Sequence, residues 1–146
     1  MARRVFDRME IFQELPAAVR RSVAMQCRWK KYEPGEIIVR RGDPDSSLLL
    51  LAEGQAQVFA PSGEESGKTL RLIQQGETFG EVAALDGGPR WATVVARDYC
   101  LVAEMPSDLL WGIIEARPRV TAELLKKLVK SLRDVSPGII ALASQF

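Results

Sequence analysis

Apolar residues recur along this chain in different rhythms, and the rhythms divide it into helix, strands and helix again. Val5, Met9, Phe12, Leu15, Val19 and Val23 fall at helical spacing, with Pro16 opening a second helical segment that runs to Met25. From Tyr32 the period shortens, and Gly35, Gly42, Gly54, Gly63, Gly67, Gly76 and Gly80 punctuate it at intervals suited to strands and turns. The pattern predicts strands over Ile37–Arg40, Leu48–Ala52, Gln55–Ala60, Leu70–Leu72, Thr93–Ala96 and Leu101–Met105. Turns are expected at Gly42-Asp43-Pro44-Asp45 and Glu53-Gly54, and a polar loop over Pro61–Gly67. Short strands at this spacing indicate a sandwich or barrel of two sheets.

After Pro106 the helical period returns. Ser107 is the expected N-cap of a helix carrying Leu109, Leu110, Ile113 and Ile114. Pro118 ends that helix and suits the first turn of the next, which runs to about Arg133 before Ser136-Pro137-Gly138 stops it. Leu125, Leu128, Leu132 and Val135 follow a 3-4-3 spacing along it. This stripe either packs on the chain's own sheets or forms a dimer seam, and it is too short to define a coiled coil. There is no internal repeat and no low-complexity segment.

Composition narrows the function classes. A chain of 146 residues, 47% hydrophobic, is sized for one domain (1–146) with its own core. The formal charge of +1 argues against a nucleic-acid partner recruited by bulk charge, and the basic pairs Arg3-Arg4, Arg20-Arg21, Arg40-Arg41 and Lys126-Lys127 are scattered. No apolar run is long enough for a bilayer, and Met1-Ala2-Arg3-Arg4 is not followed by a secretory core, so a cytoplasmic location without membrane contact is expected. The chain has no His, which removes His-ligated metals and haem and Ser/Cys-His catalysis. Cys27 and Cys100 flank no motif and read as small buried residues. Neither a Walker A sequence nor a Rossmann fingerprint is present. No catalytic residue, metal or cofactor is expected.

One stretch departs from ordinary strand-and-turn logic, Gly76 to Thr93. A short helix starting near Glu81 would direct free backbone N–H groups towards whatever lies at its start. Arg90 lies nine residues after Glu81, beyond a Gly87-Gly88-Pro89 turn that folds it back over the same place. A buried arginine beside backbone donors suits a phosphate, and a carboxylate nearby suits a sugar hydroxyl. The alternative is a purely structural loop in which Arg90 pairs with Glu81 or Asp86.

Phe79-Gly80-Glu81-Val82-Ala83-Ala84-Leu85 and Pro89-Arg90-Trp91-Ala92-Thr93-Val94 resemble the phosphate-binding cassette of cyclic nucleotide-binding domains. Phe12-Gln13-Glu14-Leu15, Gly35-Glu36-Ile37-Ile38, Gly42-Asp43 and Glu53-Gly54 extend the resemblance over about residues 10 to 134. It implies a mainly β fold, an antiparallel β-roll or jelly-roll barrel (cupin-like double-stranded β-helix) over about 32–105. N-terminal helices and two C-terminal helices, about 106–135, would flank it. It further implies Glu81 on the ribose 2′-hydroxyl and Arg90 on the cyclic phosphate. The backbone N–H groups of Ala83 and Trp91 would meet the phosphate oxygens, Gly80 would admit the ribose, and Val82 and Ala92 would complete the site. The implied ligand is cAMP or cGMP.

Trp91 stands where the family usually has Ala, Ser or Thr. Its indole either stacks on the purine or fills the pocket. Ala84 replaces a larger aliphatic residue. Leu128, Leu132 and Arg133 are the candidates for a base lid. The expected protein is thus a stand-alone cyclic nucleotide sensor in signal transduction, not an enzyme, whose C-terminal helices move with ligand and act on an effector protein or a second copy. Two alternatives stand beside it: a nucleotide-free scaffold with the pocket blocked by Trp91, and a piece of a catabolite-activator-type transcription regulator. The dozen or so residues after Arg133 leave no room for a DNA-binding domain within this sequence.

Overall fold

The computed structural model describes residues 9–59 and 69–135. A 3-10 turn at Glu10–Phe12 and helix α1 (Ala17–Gln26) lead into strands β1 (Arg28–Tyr32), β2 (Ile37–Val39), β3 (Leu48–Glu53), β4 (Ala56–Phe59), β5 (Thr69–Ile73) and β6 (Thr78–Phe79). Helix α2 (Glu81–Asp86) separates these from β7 (Thr93–Ala96) and β8 (Cys100–Met105), and helices α3 (Ser107–Ala116) and α4 (Pro118–Val135) follow. The strands form two four-stranded sheets, in the orders β1-β8-β3-β6 and β2-β7-β4-β5. Every pairing is antiparallel. The jelly-roll expectation is met by two facing sheets, and among the described residues no ladder joins them into a closed barrel.

The unbroken Leu48–Leu51 run has a direct physical cause. Strand β3 lies between β8 and β6, and both of its faces are covered, so alternation is lost. Leu48 and Leu50 point to a cluster built with Met9, Phe12, Leu15, Leu110 and Val120, which is the helical layer. Leu49 and Leu51 point the other way, to a cluster with Val58, Ile73, Val94 and Val102 between the sheets. The molecule is therefore three layers: sheet, sheet, helices.

Several elements differ from the expectation. The first strand begins at Arg28, ahead of Tyr32, with the sequence Arg-Trp-Lys-Lys-Tyr. It is an edge strand beside β8, so charged side chains stand in solvent while the ladder supplies its order, and Lys30 pairs with Glu104 at 2.8 Å. Strand β6 has only two residues and carries no readable period. Ser107 is not the N-cap. Pro106 holds that position, and the Ser107 hydroxyl instead donates to the Ala84 carbonyl at 3.1 Å, tying α3 to α2. The α4 stripe is also redrawn: Val120, Leu124 and Leu128 pack on the sheet layer, whereas Leu125, Val129 and Leu132 are exposed. The expected features at Val5, Pro61–Gly67 and Ser136–Gly138 lie outside the described residues.

Candidate functional site

Arg90 is the best-fixed side chain of the candidate cassette. Its backbone is clamped to the β2–β3 turn, since Gly42 N–H donates to the Arg90 carbonyl at 2.7 Å and Arg90 N–H donates to the Asp43 carbonyl at 2.8 Å. Arg90 is 3% exposed, and the acceptors of its guanidinium converge from two segments. Nη2 donates to Asp45 Oδ2 at 3.0 Å and to the Ser47 carbonyl at 2.7 Å, and Nη1 donates to the Gly80 carbonyl at 3.1 Å. Gly80 makes this approach possible. Its φ of +76° lies in the left-handed region, and a Cβ there would sit 2.5 Å from Arg90 Nη1. Asp45 is drawn into the cluster: burial opposes its charge, but the Ser47 N–H and the Arg90 guanidinium hold its carboxyl below the usual range. The structural pairings of Arg90 with Glu81 or Asp86 do not form. Asp86 instead accepts the Gly88 N–H at 2.7 Å.

Glu81 opens α2 and is 7% exposed. Its Oε1 accepts the Thr78 hydroxyl at 2.8 Å and faces the Lys127 ammonium of α4 at 3.0 Å. Lys127 also donates to Thr78 Oγ1 at 2.5 Å and to the Thr78 carbonyl. Burial alone would push the Glu81 carboxyl up; Lys127 and Thr78 outweigh it and hold it below its ordinary value. Burial also lowers Lys127, against the pull of Glu81. The two shifts favour opposite states of the pair. The short contact with good donors on both sides supports the charged one, the direction given by Glu81.

Gly80, Glu81, Val82, Ala83, Arg90, Trp91 and Ala92 all line one cavity. Its volume is about 70 Å³, and α4 closes it with Leu128 and Ser131. Trp91 stands at its edge, 39% exposed.

Residues 29–117 match the cyclic nucleotide-binding domain family. The chain belongs to that family. The matched domain is a ligand-binding regulatory domain, not a catalytic one. The chain is 32% identical over 108 residues to a cGMP-dependent protein kinase of Plasmodium berghei (strain Anka), a match covering 74% of this chain and 12% of that protein. It is 35% identical over 95 residues to a cAMP-dependent protein kinase regulatory subunit of Colletotrichum orbiculare, covering 65% of this chain and 24% of the relative. The chain therefore spans a quarter or less of these curated relatives. Among solved structures, the Thermus thermophilus catabolite activator protein superposes with a TM-score of 0.74 at 26% identity, covering 91% of this chain and 62% of that one.

The structure brings the seven site residues that the sequence singled out, Gly80 to Ala83 and Arg90 to Ala92, to one cavity. It adds four that sequence reasoning missed: Asp45 and Ser47 behind the arginine, and Thr78 and Lys127 around the glutamate. Lys127 had a readable signal. It falls on the same helical face as Val120, Leu124, Leu128 and Ser131, where a cation interrupts an otherwise inward stripe. Of the lid candidates, Leu128 lines the cavity, and Leu132 and Arg133 do not; Ser131 joins Leu128 there.

Proposed function

We propose that this domain is a cytoplasmic regulatory receptor for cAMP or cGMP. The observation that carries the reading is the convergence of a buried arginine and a buried carboxylate on one cavity, together with the cassette backbone. Arg90 would neutralise the cyclic phosphate, with the N–H groups of Ala83 and Trp91 adding donors. Glu81 would accept the ribose 2′-hydroxyl. A cavity of about 70 Å³ is well below the roughly 300 Å³ at which small-molecule pockets begin, so nucleotide and closed α4 compete for space. Ligand access therefore displaces α4, whose Leu128 and Ser131 roof the cavity, and this motion is the output. The partner of that output is an effector protein or a second copy. Leu125, Val129 and Leu132 form an exposed apolar face on α4 suited to a homodimer. Light scattering should give twice the chain mass, and replacing Leu125 and Leu132 by Lys should return a monomer; a monomeric wild type removes the dimer.

Isothermal titration calorimetry with cAMP and cGMP tests the receptor reading. Micromolar or tighter binding is expected for at least one nucleotide, with loss of at least tenfold in Arg90→Ala. A folded wild type that gives no heat with either nucleotide overturns it. The small cavity and the rim position of Trp91 favour a second reading, a scaffold whose pocket stays closed. Under that reading Trp91→Ala gains nucleotide binding that the wild type lacks.

A further inference from the structure

A second cavity, of about 480 Å³, lies between α4, strand β5 and the turn into β6. None of the seven cassette residues lines it. Four cations do, Arg71 from β5 and Lys126, Lys127 and Lys130 from α4, against two carboxylates, Glu77 and Glu123. Lys127 is engaged by Glu81. The other three cations are poorly neutralised. Arg71 Nη1 stands 3.6 Å from Glu77 Oε2, beyond hydrogen-bond reach, and among the described residues that oxygen is buried without a hydrogen bond. Lys126 meets Glu123 at 3.3 Å with its own side chain in solvent, which screens the pair. Lys130 makes no ion pair among the described residues. It lies four positions after Lys126 on the same helix, a spacing at which like charges repel.

We propose that this cavity is a second ligand site, for a small organic phosphate with at least two negative charges, and that its occupant clamps α4 to β5. A guanidinium and two ammonium groups around one space match phosphate oxygens in charge and in donors. The volume falls within the range of small-molecule pockets. Met9, Ile11 and Leu72 add an apolar wall for a carbon skeleton. An anion held by Arg71 and by Lys126 and Lys130 bridges strand and helix, and it relieves the repulsion between the two lysines. Arg71 and Ser131 line the cassette cavity as well, so the two cavities share a wall. Nucleotide displaces α4 and the second ligand holds it, so each weakens the other by the same factor. This antagonism rests on the receptor reading above; the site and the clamp do not.

Titration with inorganic pyrophosphate at fixed ionic strength, followed by backbone amide NMR, tests the site. The wild type should bind with a dissociation constant of about 1 mM or tighter. The double variant Lys126→Gln, Lys130→Gln should lose about tenfold, the scale of a charge-assisted hydrogen bond. A charge-matched control outside the cavity, Arg21→Gln with Lys31→Gln, should stay within about twofold of wild type. These four side chains belong to exposed residues, so both variants should fold. Absence of saturable binding, or equal losses in the two double variants, overturns the site. Hydrogen exchange across α4 should slow in pyrophosphate, and unchanged exchange there overturns the clamp. In saturating pyrophosphate, the affinity for cAMP or cGMP should fall about fivefold in the wild type and not in the Lys126→Gln, Lys130→Gln variant. An unchanged or tighter nucleotide affinity overturns the antagonism. A wild type that binds pyrophosphate and slows α4 exchange but binds neither nucleotide overturns the receptor reading and upholds the second site.

Discussion

Arg90 and Glu81 stand at two ends of one cassette, yet they are anchored to different parts of the molecule. Arg90 is fixed to the sheets: its backbone and guanidinium meet the segment between β2 and β3, and its remaining contact is the neighbouring Gly80 carbonyl. Glu81 is fixed to α4 through Lys127. The first anchor belongs to a scaffold in which β3 is covered on both faces and Leu48, Leu50 and Leu51 are fully buried. The second belongs to a helix that keeps Leu125, Val129 and Leu132 in solvent. Elements with fewer buried contacts open at lower cost. The phosphate end of the cassette is thus built to stay, and the sugar end is built to report on a helix.

This contrast can be broken from either end. The largest effect is expected at Gly80. Gly80→Ala forces a left-handed residue to carry a Cβ, which costs about 1–2 kcal/mol, and pushes that Cβ into the Arg90 guanidinium. Urea denaturation should show at least that loss, and nucleotide affinity should fall with it. Thr78→Val at the other end removes one hydroxyl from the Glu81–Lys127 cluster while keeping its shape. About 1 kcal/mol is expected, and α4 should exchange amide protons faster while the sheets remain protected. Equal protection losses in sheets and α4 would erase the distinction between the two anchors.

Acid sharpens the comparison with a smaller effect. Glu81 and Asp45 are both held below their ordinary values of 4.5 and 3.8. A carboxylate lowered on folding contributes stability that is complete above its unfolded pKa and lost as pH falls through its folded pKa. Stability should therefore be flat from pH 7 to about 5 and decline below the ordinary carboxylate range. Chemical denaturation across that range should show Glu81→Gln flattening the decline more than Asp45→Asn does. The Asp45 side chain is 56% exposed, and solvent screens its pairing with Arg90. The reverse order would place the stronger electrostatic anchor at the phosphate end.

Much of this molecule was legible in its residues. The strands at Leu48, Thr93 and Leu101, the short helix at Glu81 and the helix opened by Pro118 follow from period and punctuation, which are local properties. The illegible elements share a cause. Strand β1 is charged because it lies at an edge, and two-residue β6 exists only because β3 offers it a ladder. Neither carries a pattern of its own. Ser107 misled for a related reason: a serine after proline is a good cap in isolation, but the Ala84 carbonyl claims its hydroxyl.

The same division holds at the site. Glycine, glutamate and arginine at fixed separation mark the cassette, because a tight turn, an acceptor and a cation must come from those residue types. The amino-acid order by itself determined which cassette residues would line the cavity and which family they resemble, whereas Val39, Val58, Leu70 and Ser131 join the lining only through packing. It could not determine what holds them. Asp45 and Ser47 reach Arg90 across more than forty positions, and Lys127 reaches Glu81 across forty-six. Contacts at that separation are decided by how sheets and helices stack, and burial then compels each charge to find whichever partner the packing has brought near.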